Sequence, residues 1–400
     1  MKRIICFCSL FLLLTGCSSD TDDGKVNFKV YQYSYPTNNL VEIDEGKDFT
    51  GKDGLKHTFT STQIICEDNF DIHTDDQNLL INGDRWSVPN DDICGVRELS
   101  KPNALHISWN TSISDDYSPE KYVFQLSERG DMVNSKVIET ENNYVDVVNL
   151  KVSTIYYCNI GNVCNGTTLF CKPIKFHTKD TIIRNISIDG VTNCRDMGGY
   201  TSIYGKVQQG RIFRTAALEG ITEQGKIEAK NDINFKSEID LRNDGAYNVS
   251  PLGDNVALFR DNVSMSFDGA GKIATYHSQI KNIFKIFAKK ENYPIVFHCA
   301  AGADRTGMIG FLLNCLLGVS ETDMEKDYLF TNYGNIGGGR TATNIDMFNI
   351  KSNYLGYIKE FEGNNLSEKM ANYLMSDKGN VSLTNHEVEA VLDNMLNQNF

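Results

Sequence analysis

Apolar positions change their spacing twice along the 400-residue chain. The first sixteen residues, "MKRIICFCSLFLLLTG", set a basic start before an apolar run too short to span a bilayer. From 26 to about 180 the pattern is one of short β-rich runs separated by Gly, Asn, Asp and Pro: "VNFKVYQYSY", "HTFTSTQIIC", "ALHISW", "KYVFQLS", "NYVDVVNL" and "TIYYCNI". Strands at this spacing predict a β-sandwich. Beyond about 183 strands alternate with helical periodicity. "FKSEIDLR" and "YPIVFH" read as strands, whereas "IATYHSQIKNIFKIFAKK", "TGMIGFLLNCLLG", "ETDMEKDYLFTNY" and "FNIKSNYLGYIKEF" carry apolar residues at helical spacing. "LSEKMANYLMSDKG", opening with S-x-x-M, and "TNHEVEAVLDNML" predict two more capped helices. The expected protein is multidomain, an N-terminal β-sandwich ahead of a C-terminal α/β domain.

Composition sharpens this picture at the N-terminus. "LLTGC" resembles the lipobox of bacterial lipoproteins, in which cleavage before the cysteine accompanies its acylation. The resemblance implies a signal peptide over 1–16, a lipid on Cys17, and attachment to a membrane of the bacterial cell envelope on its periplasmic or surface face. "SSDTDDGK" then forms an acidic tether within 17–25. Losing Lys2 and Arg3 with the signal takes the formal net charge from −13 to −15. Such a chain does not coat nucleic acid, so any phosphate site has to be local. An oxidising compartment also leads us to expect pairing among Cys66, Cys94, Cys158, Cys164 and Cys171, while Cys315 reads as a buried thiol. No cysteine or histidine spacing suggests zinc, and neither metal nor cofactor is expected.

Residues 98–179 resemble a fibronectin type III module, through "LHISW" with Trp109, "YVFQLS", and "LKVSTIY" ending at Tyr156. That resemblance implies a tryptophan filling the core between the sheets and a corner hydrogen bond from the tyrosine. The stretch 26–97 is a separate β-rich region. No catalytic constellation is visible in this half, and the ligand of the sandwich is unknown.

The chemistry is concentrated in "VFHCAAGADRTG", which runs strand, loop, helix. In a seven-residue loop entering a helix, successive N–H groups can converge on an anion at the positive end of the helix dipole. Ala300, Ala301, Gly302 and Ala303 let the backbone curl, with Gly302 free to adopt a conformation other residues resist. Asp304 and Arg305 complete the cradle, and the Arg305 fork can clamp two phosphate oxygens. Cys299 at its centre is expected to be a thiolate, because the same donors stabilise an anionic sulfur. His298 is expected to orient the loop, and Thr306 to donate its hydroxyl to the sulfur.

H-C-x5-R-T-G resembles the signature of cysteine-dependent tyrosine phosphatases. "TNCRDMGGY", "GRIFRTAAL", "IDLR" and "DYLFTN" resemble a bacterial branch that acts on phosphotyrosine, phosphoserine and phosphothreonine, or phosphoinositides. The resemblance spans 183–400. It implies hydrolysis of a phosphorylated protein or phospholipid through a phosphocysteine. Phosphotyrosine is the expected substrate, with a phosphoinositide or inositol phosphate as the alternative; alanines where lipid-acting members carry lysines weigh against that alternative. A third possibility is a catalytically idle binding or adhesion lipoprotein. Both tryptophans, Trp86 and Trp109, lie in the first half, so no Trp-Pro-Asp loop supplies the acid. Asp304 is the favoured proton donor and Asp268, in "SFDGAGK", the alternative. Arg195 and Asp196 are expected to support the site, and Arg214 and Arg242 to pair with carboxylates beneath the sheet. Cys194 is either a redox partner of Cys299 or a buried spectator.

Overall fold

Strand β1 (Lys47–Thr50) pairs with β2 (Lys56–Ile65), and β2 pairs in turn with β3 (Leu105–Ile113). The structure, a computed structural model, describes residues 42–83, 94–244, 247–266, 273–338, 354–377 and 381–396. The expected signal peptide, Cys17, the tether, "VNFKVYQYSY" and Asp268 lie outside these residues. The first sheet has the order β1-β2-β3-β6, and the second the order β5-β4-β7-β8 with β9 also on β7. The added strands are β4 (Lys121–Ser127), β5 (Lys136–Thr140), β6 (Tyr144–Val147), β7 (Ile155–Cys164), β8 (Thr167–Phe170) and β9 (Ile174–His177). All pairs are antiparallel.

The two sheets meet face to face. Trp109 of β3, 1% exposed, packs edge-on against Tyr122 of β4 at 5.3 Å, and Thr111 Oγ1 donates to Asn162 Oδ1 of β7 at 2.7 Å. The Tyr156 hydroxyl accepts from Lys151 N at 2.8 Å, closing the corner before β7. Two features depart from the expected layout. The sheet crosses residue 98, since β2 is a neighbour of β3, and the β-rich region holds helix α1 (Asp75–Asn82). Its start is set by a capping box: Thr74 Oγ1 accepts from Gln77 N, and Gln77 Oε1 accepts from Thr74 N. The expected disulfides are absent among the described cysteines, all of which are free thiols. Cys158 and Cys171 are fully buried, and the Cys171 sulfur instead accepts from Ile160 N at 3.3 Å.

The second half is built on a five-stranded sheet of order β10-β13-β16-β14-β15. Its strands are β10 (Arg195–Asp196), β13 (Ile212–Thr215), β14 (Ser237–Asp240), β15 (Ala257–Phe259) and β16 (Ile295–His298), with β11 (Thr201–Ser202) and β12 (Gly205–Lys206) forming a separate hairpin. β13, β16, β14 and β15 are parallel. Strict alternation feeds two cores. Ile212, Ile239, Ile295 and Phe297 enter the larger, while Phe213 and Val296 enter the smaller beside Ala229 of α2 (Glu223–Asp232).

Helices α3 (His277–Phe287), α4 (Asp304–Leu316), α5 (Glu321–Phe330), α6 (Tyr354–Lys359), α7 (Leu366–Met375) and α8 (Asn385–Leu396) furnish the larger core. Every residue of α4 from Arg305 to Leu316 is buried, so it is the central helix. α7 is capped by Asn365 rather than by the serine of S-x-x-M. Asn365 Oδ1 accepts from Glu368 N at 2.9 Å, and Ser367 Oγ donates to Leu316 O. The described residues all fall within one unit, Gln32–Phe400, so the sandwich and the α/β half pack together.

Candidate active site

Thr215, Asp240 and His298 are matched in register across β13, β14 and β16, so the loops that follow these parallel strands emerge at one edge. Open parallel sheets bind ligands at the carboxyl ends of their strands. Cys299 follows β16 there, and Asp304 opens α4, placing the loop between strand and helix N-terminus as its sequence predicts.

The carbonyls of Cys299 to Gly302 are tied to groups outside the loop's centre. The Cys299 carbonyl faces His298 Nδ1 at 3.1 Å, and the Ala300 carbonyl accepts from Ala217 N at 2.9 Å. Those of Ala301 and Gly302 accept from Asn193 Nδ2 at 3.0 and 3.4 Å, and Gly302 also accepts from Arg214 NH2 at 2.9 Å. Turning the carbonyls outward turns the amides inward. Among the described residues none of the amides of Ala300 to Ala303 donates to a protein acceptor. Gly302 makes the curl possible at φ +68°, where an added Cβ would clash with Thr215 O and lie 2.8 Å from Ala216 N.

Arg305 is 6% exposed and donates from NH1 to Met265 O at 3.1 Å; its Nε has no hydrogen-bond partner among the described residues. A buried guanidinium nitrogen without an acceptor is costly unless a ligand supplies one. Cys299 is 3% exposed, Ala300 is exposed, and Asp304 is half-buried at the rim. Asp304 lies near Tyr354, whose phenol is pushed up by burial first, then by Tyr328 and Asp304. The expected hydrogen bond from Thr306 to the sulfur is not made: Thr306 Oγ1, buried in the first turn of α4, has no partner among the described residues.

Behind the loop are two charge networks. In the first, Asp327 on α5 accepts from Arg195 Nε at 2.7 Å, from Arg214 NH1, and from the Tyr200 hydroxyl at 3.2 Å. Burial opposes ionisation of Asp327, but Arg195 and Arg214 prevail and hold its carboxyl below the ordinary value. Arg195 also donates to Asn193 Oδ1, which fixes the amide that holds the loop carbonyls. Thus Arg195 supports the site through Asn193. Asp196 does not, because it points to the neighbouring turn, where it pairs with Arg184 at 2.7 Å and accepts from Gly198 N and Gly210 N.

In the second network, His298 Nε2 faces Glu238 Oε1 at 2.9 Å, and the same carboxylate accepts from the Tyr247 hydroxyl at 2.7 Å and from Ser250 Oγ. Asp240 pairs with Arg242 at 2.9 Å and with Arg260 at 2.9 Å, and Arg242 reaches Glu219 at 2.6 Å. Burial opposes ionisation of Asp240, but its bonds to Arg242 and the neighbouring His298 outweigh it and hold the carboxyl below the ordinary value. Glu238, Asp240 and His298 are close enough together to ligate a metal ion. Their donor atoms are instead engaged by Tyr247, Ser250 and the two arginines, a set suited to fixing His298. Arg214 and Arg242 thus meet carboxylates, as expected.

Cys194 sits in the smaller core and Cys299 in the larger, on opposite faces of the sheet. Burial pushes the Cys194 thiol up to about 12, which suits a spectator. Asn193, Asp327 and Glu238 were missed as site residues by sequence reasoning. Asn193 and Asp327 lie inside motifs already singled out, "TNCRDMGGY" and "DYLFTN", but nothing in one dimension says that they meet.

The sequence profile described as "Tyrosine phosphatase family" matches residues 186–395. The chain belongs to that family. The phosphatase is 25% identical over 184 residues to a Cupriavidus necator protein named as a tyrosine-protein phosphatase, covering 40% of this chain and 67% of that one. It is 40% identical over 50 residues to a tyrosine-protein phosphatase of Nostoc commune, covering 12% of this chain and 17% of that relative. Among solved structures it is similar to the core catalytic domain of the PP-IP phosphatase SIW14 from S. cerevisiae, at 16% identity and a TM-score of 0.29, covering 40% of this chain and 87% of that one.

Proposed function

We propose that this phosphatase hydrolyses phosphomonoesters through a phosphocysteine, with protein phosphotyrosine as its substrate. The observation that carries the reading is the loop itself: inward amides, an unpartnered Arg305 Nε and Cys299 at its base. The Cys299 thiolate attacks phosphorus, forming P–S as P–O breaks, and Asp304 gives its proton to the leaving phenolate oxygen. Water then attacks phosphorus, Asp304 takes its proton, and P–S breaks to release phosphate and the thiolate. The charge passing through the equatorial oxygens is met by the loop amides and Arg305. His298 acts from behind the loop, where its ring faces both Glu238 and the Cys299 carbonyl.

Ala300, Ala301 and Ala303 offer no cation to further phosphates, which supports phosphotyrosine over a polyphosphorylated inositol. Metal-independent turnover, a lipid on Cys17, an envelope location and a fibronectin type III character for the sandwich complete the proposal. The buried Trp109 and the Tyr156 corner support the last of these. The test is turnover of p-nitrophenyl phosphate in EDTA, followed by a panel of phosphopeptides and phosphoinositides. Cys299→Ser is expected to abolish turnover and retain phosphopeptide binding; activity in this variant refutes the mechanism, and absence of wild-type turnover favours the idle binding protein.

A further inference from the structure

We propose that residues 94–101, from the sandwich half, position the phosphate loop, with Ser100 acting through Asn193. The inference rests on the phosphatase reading and adds to it a part of the machinery that lies outside the family match, which begins at residue 186.

Ser100 is fully buried, and its hydroxyl has a fixed direction. Ser100 Oγ donates to Glu98 Oε1, which leaves a lone pair to accept from Asn193 N at 3.1 Å. The segment around it is stitched on both sides. On one side Leu99 N donates to Tyr333 O at 2.7 Å and Gly95 N to Asn332 O at 2.7 Å; on the other Lys101 Nζ donates to Ile188 O at 2.7 Å and to Val191 O.

Asn193 needs such support. It is fully buried with φ +57°, and Gly334 approaches so closely that a Cβ there would lie 2.8 Å from the Asn193 Cβ. Its side-chain amide can be placed in only one sense: Oδ1 receives Arg195, so Nδ2 faces the Ala301 and Gly302 carbonyls. Ser100 fixes the backbone of Asn193, Asn193 fixes two loop carbonyls, and those carbonyls set the direction of the amides that hold phosphate. Ser100 is therefore a positioning residue two hydrogen bonds from the loop.

The test uses the full chain. Ser100→Ala leaves the buried Asn193 N–H without an acceptor and is expected to lower kcat on p-nitrophenyl phosphate and weaken orthovanadate inhibition, each by about tenfold. Ser100→Thr, which keeps the hydroxyl, is expected to restore both within about twofold. In an Asn193→Ala background, Ser100→Ala is expected to add less than about twofold, because both act along one path. Exposed Glu98→Ala, which frees the serine hydroxyl to rotate, is expected to shift both readouts in the same direction by about threefold; should Ser100→Ala fail to fold, this variant is the deciding one, and unchanged readouts in it overturn the inference. Unchanged kcat and vanadate inhibition in Ser100→Ala, or losses that multiply in the double variant, overturn it equally. Absence of turnover by the wild-type chain instead overturns the phosphatase reading on which it rests.

Discussion

Replacing Asp327 by Asn preserves the side chain's shape and removes the carboxylate facing two buried guanidinium groups. Arg195 and Arg214 are 0% and 1% exposed, and the carboxylate receives Arg195 Nε, Arg214 NH1 and the Tyr200 hydroxyl. Breaking a buried pair by removing one partner costs about 3–5 kcal/mol, since the remaining charge is left uncompensated. An Asn oxygen can still accept one of these hydrogen bonds, which sets the expectation near the lower end, about 3 kcal/mol. At roughly 2–4 °C per kcal/mol the melting midpoint should fall by about 6–12 °C. Urea unfolding by linear extrapolation measures the free-energy loss directly, with an unchanged m-value showing that the unfolding unit is the same. A loss below about 1 kcal/mol would refute the reasoning, because it would mean that the two arginines do not depend on this charge.

The same carboxylate carries a pH signature. Burial pulls its affinity for protons up and the two arginines pull it further down, so its folded value lies below its unfolded one. A group of that kind contributes stability above its unfolded pKa, about 3.9, and the contribution is lost as pH falls through the folded value. The wild type should therefore lose stability progressively below about pH 4, more steeply than Asp327→Asn, whose side chain does not titrate.

Gly302→Ala is expected to destabilise by at least 1–2 kcal/mol and to weaken vanadate inhibition, because φ +68° and the Thr215 and Ala216 backbone both reject a Cβ; thermal melting and inhibition assays check it. Arg305→Lys should reduce kcat/KM on a phosphopeptide by at least about tenfold, because one ammonium cannot reproduce the fork; an unchanged kcat/KM rejects that role. Asp304→Asn should slow an alkyl phosphate far more than an activated aryl phosphate and flatten the basic limb of kcat against pH. If Asp268→Asn flattens that limb instead, the acid comes from "SFDGAGK".

The loop after β16 was legible because its chemistry is local: cysteine, small residues and arginine sit within seven positions at a strand–helix junction, so the chain's own geometry brings them together. The strands in "FKSEIDLR" and "YPIVFH" were legible for the same reason, since a short apolar run set between helical patterns is a local signal. Helix α1 escaped because its apolar stripe is short, Leu80 and Ile81 with Gln77 buried beside them, and its start is written only in the spacing of Thr74 and Gln77. The cap of α7 was misplaced by two residues because Ser367 and Asn365 are both acceptable caps. The deciding fact is that Glu368 stands three residues after Asn365 and reciprocates its bond, whereas Ser367 is drawn off to Leu316 O.

Of the support beneath the loop, Arg195 and Arg214 were legible but their partners were not, for a physical reason that also explains its composition. Asn193, Asp327 and Ser100 come from a turn, a helix and a segment of the other half, and each looks unremarkable where it stands. A buried charge is tolerable only when its partners arrive from elsewhere, so the burial of Arg195, Arg214 and Asp327 depends on the assembled fold. The carbonyls of Ala300, Ala301 and Gly302 need donors from outside the loop, and those donors are Ala217, Asn193 and Arg214, while the Cys299 carbonyl faces the His298 ring. The motif is written in one stretch of the chain; the polar partners that hold its loop are specified only by the packing of both halves of the chain around it.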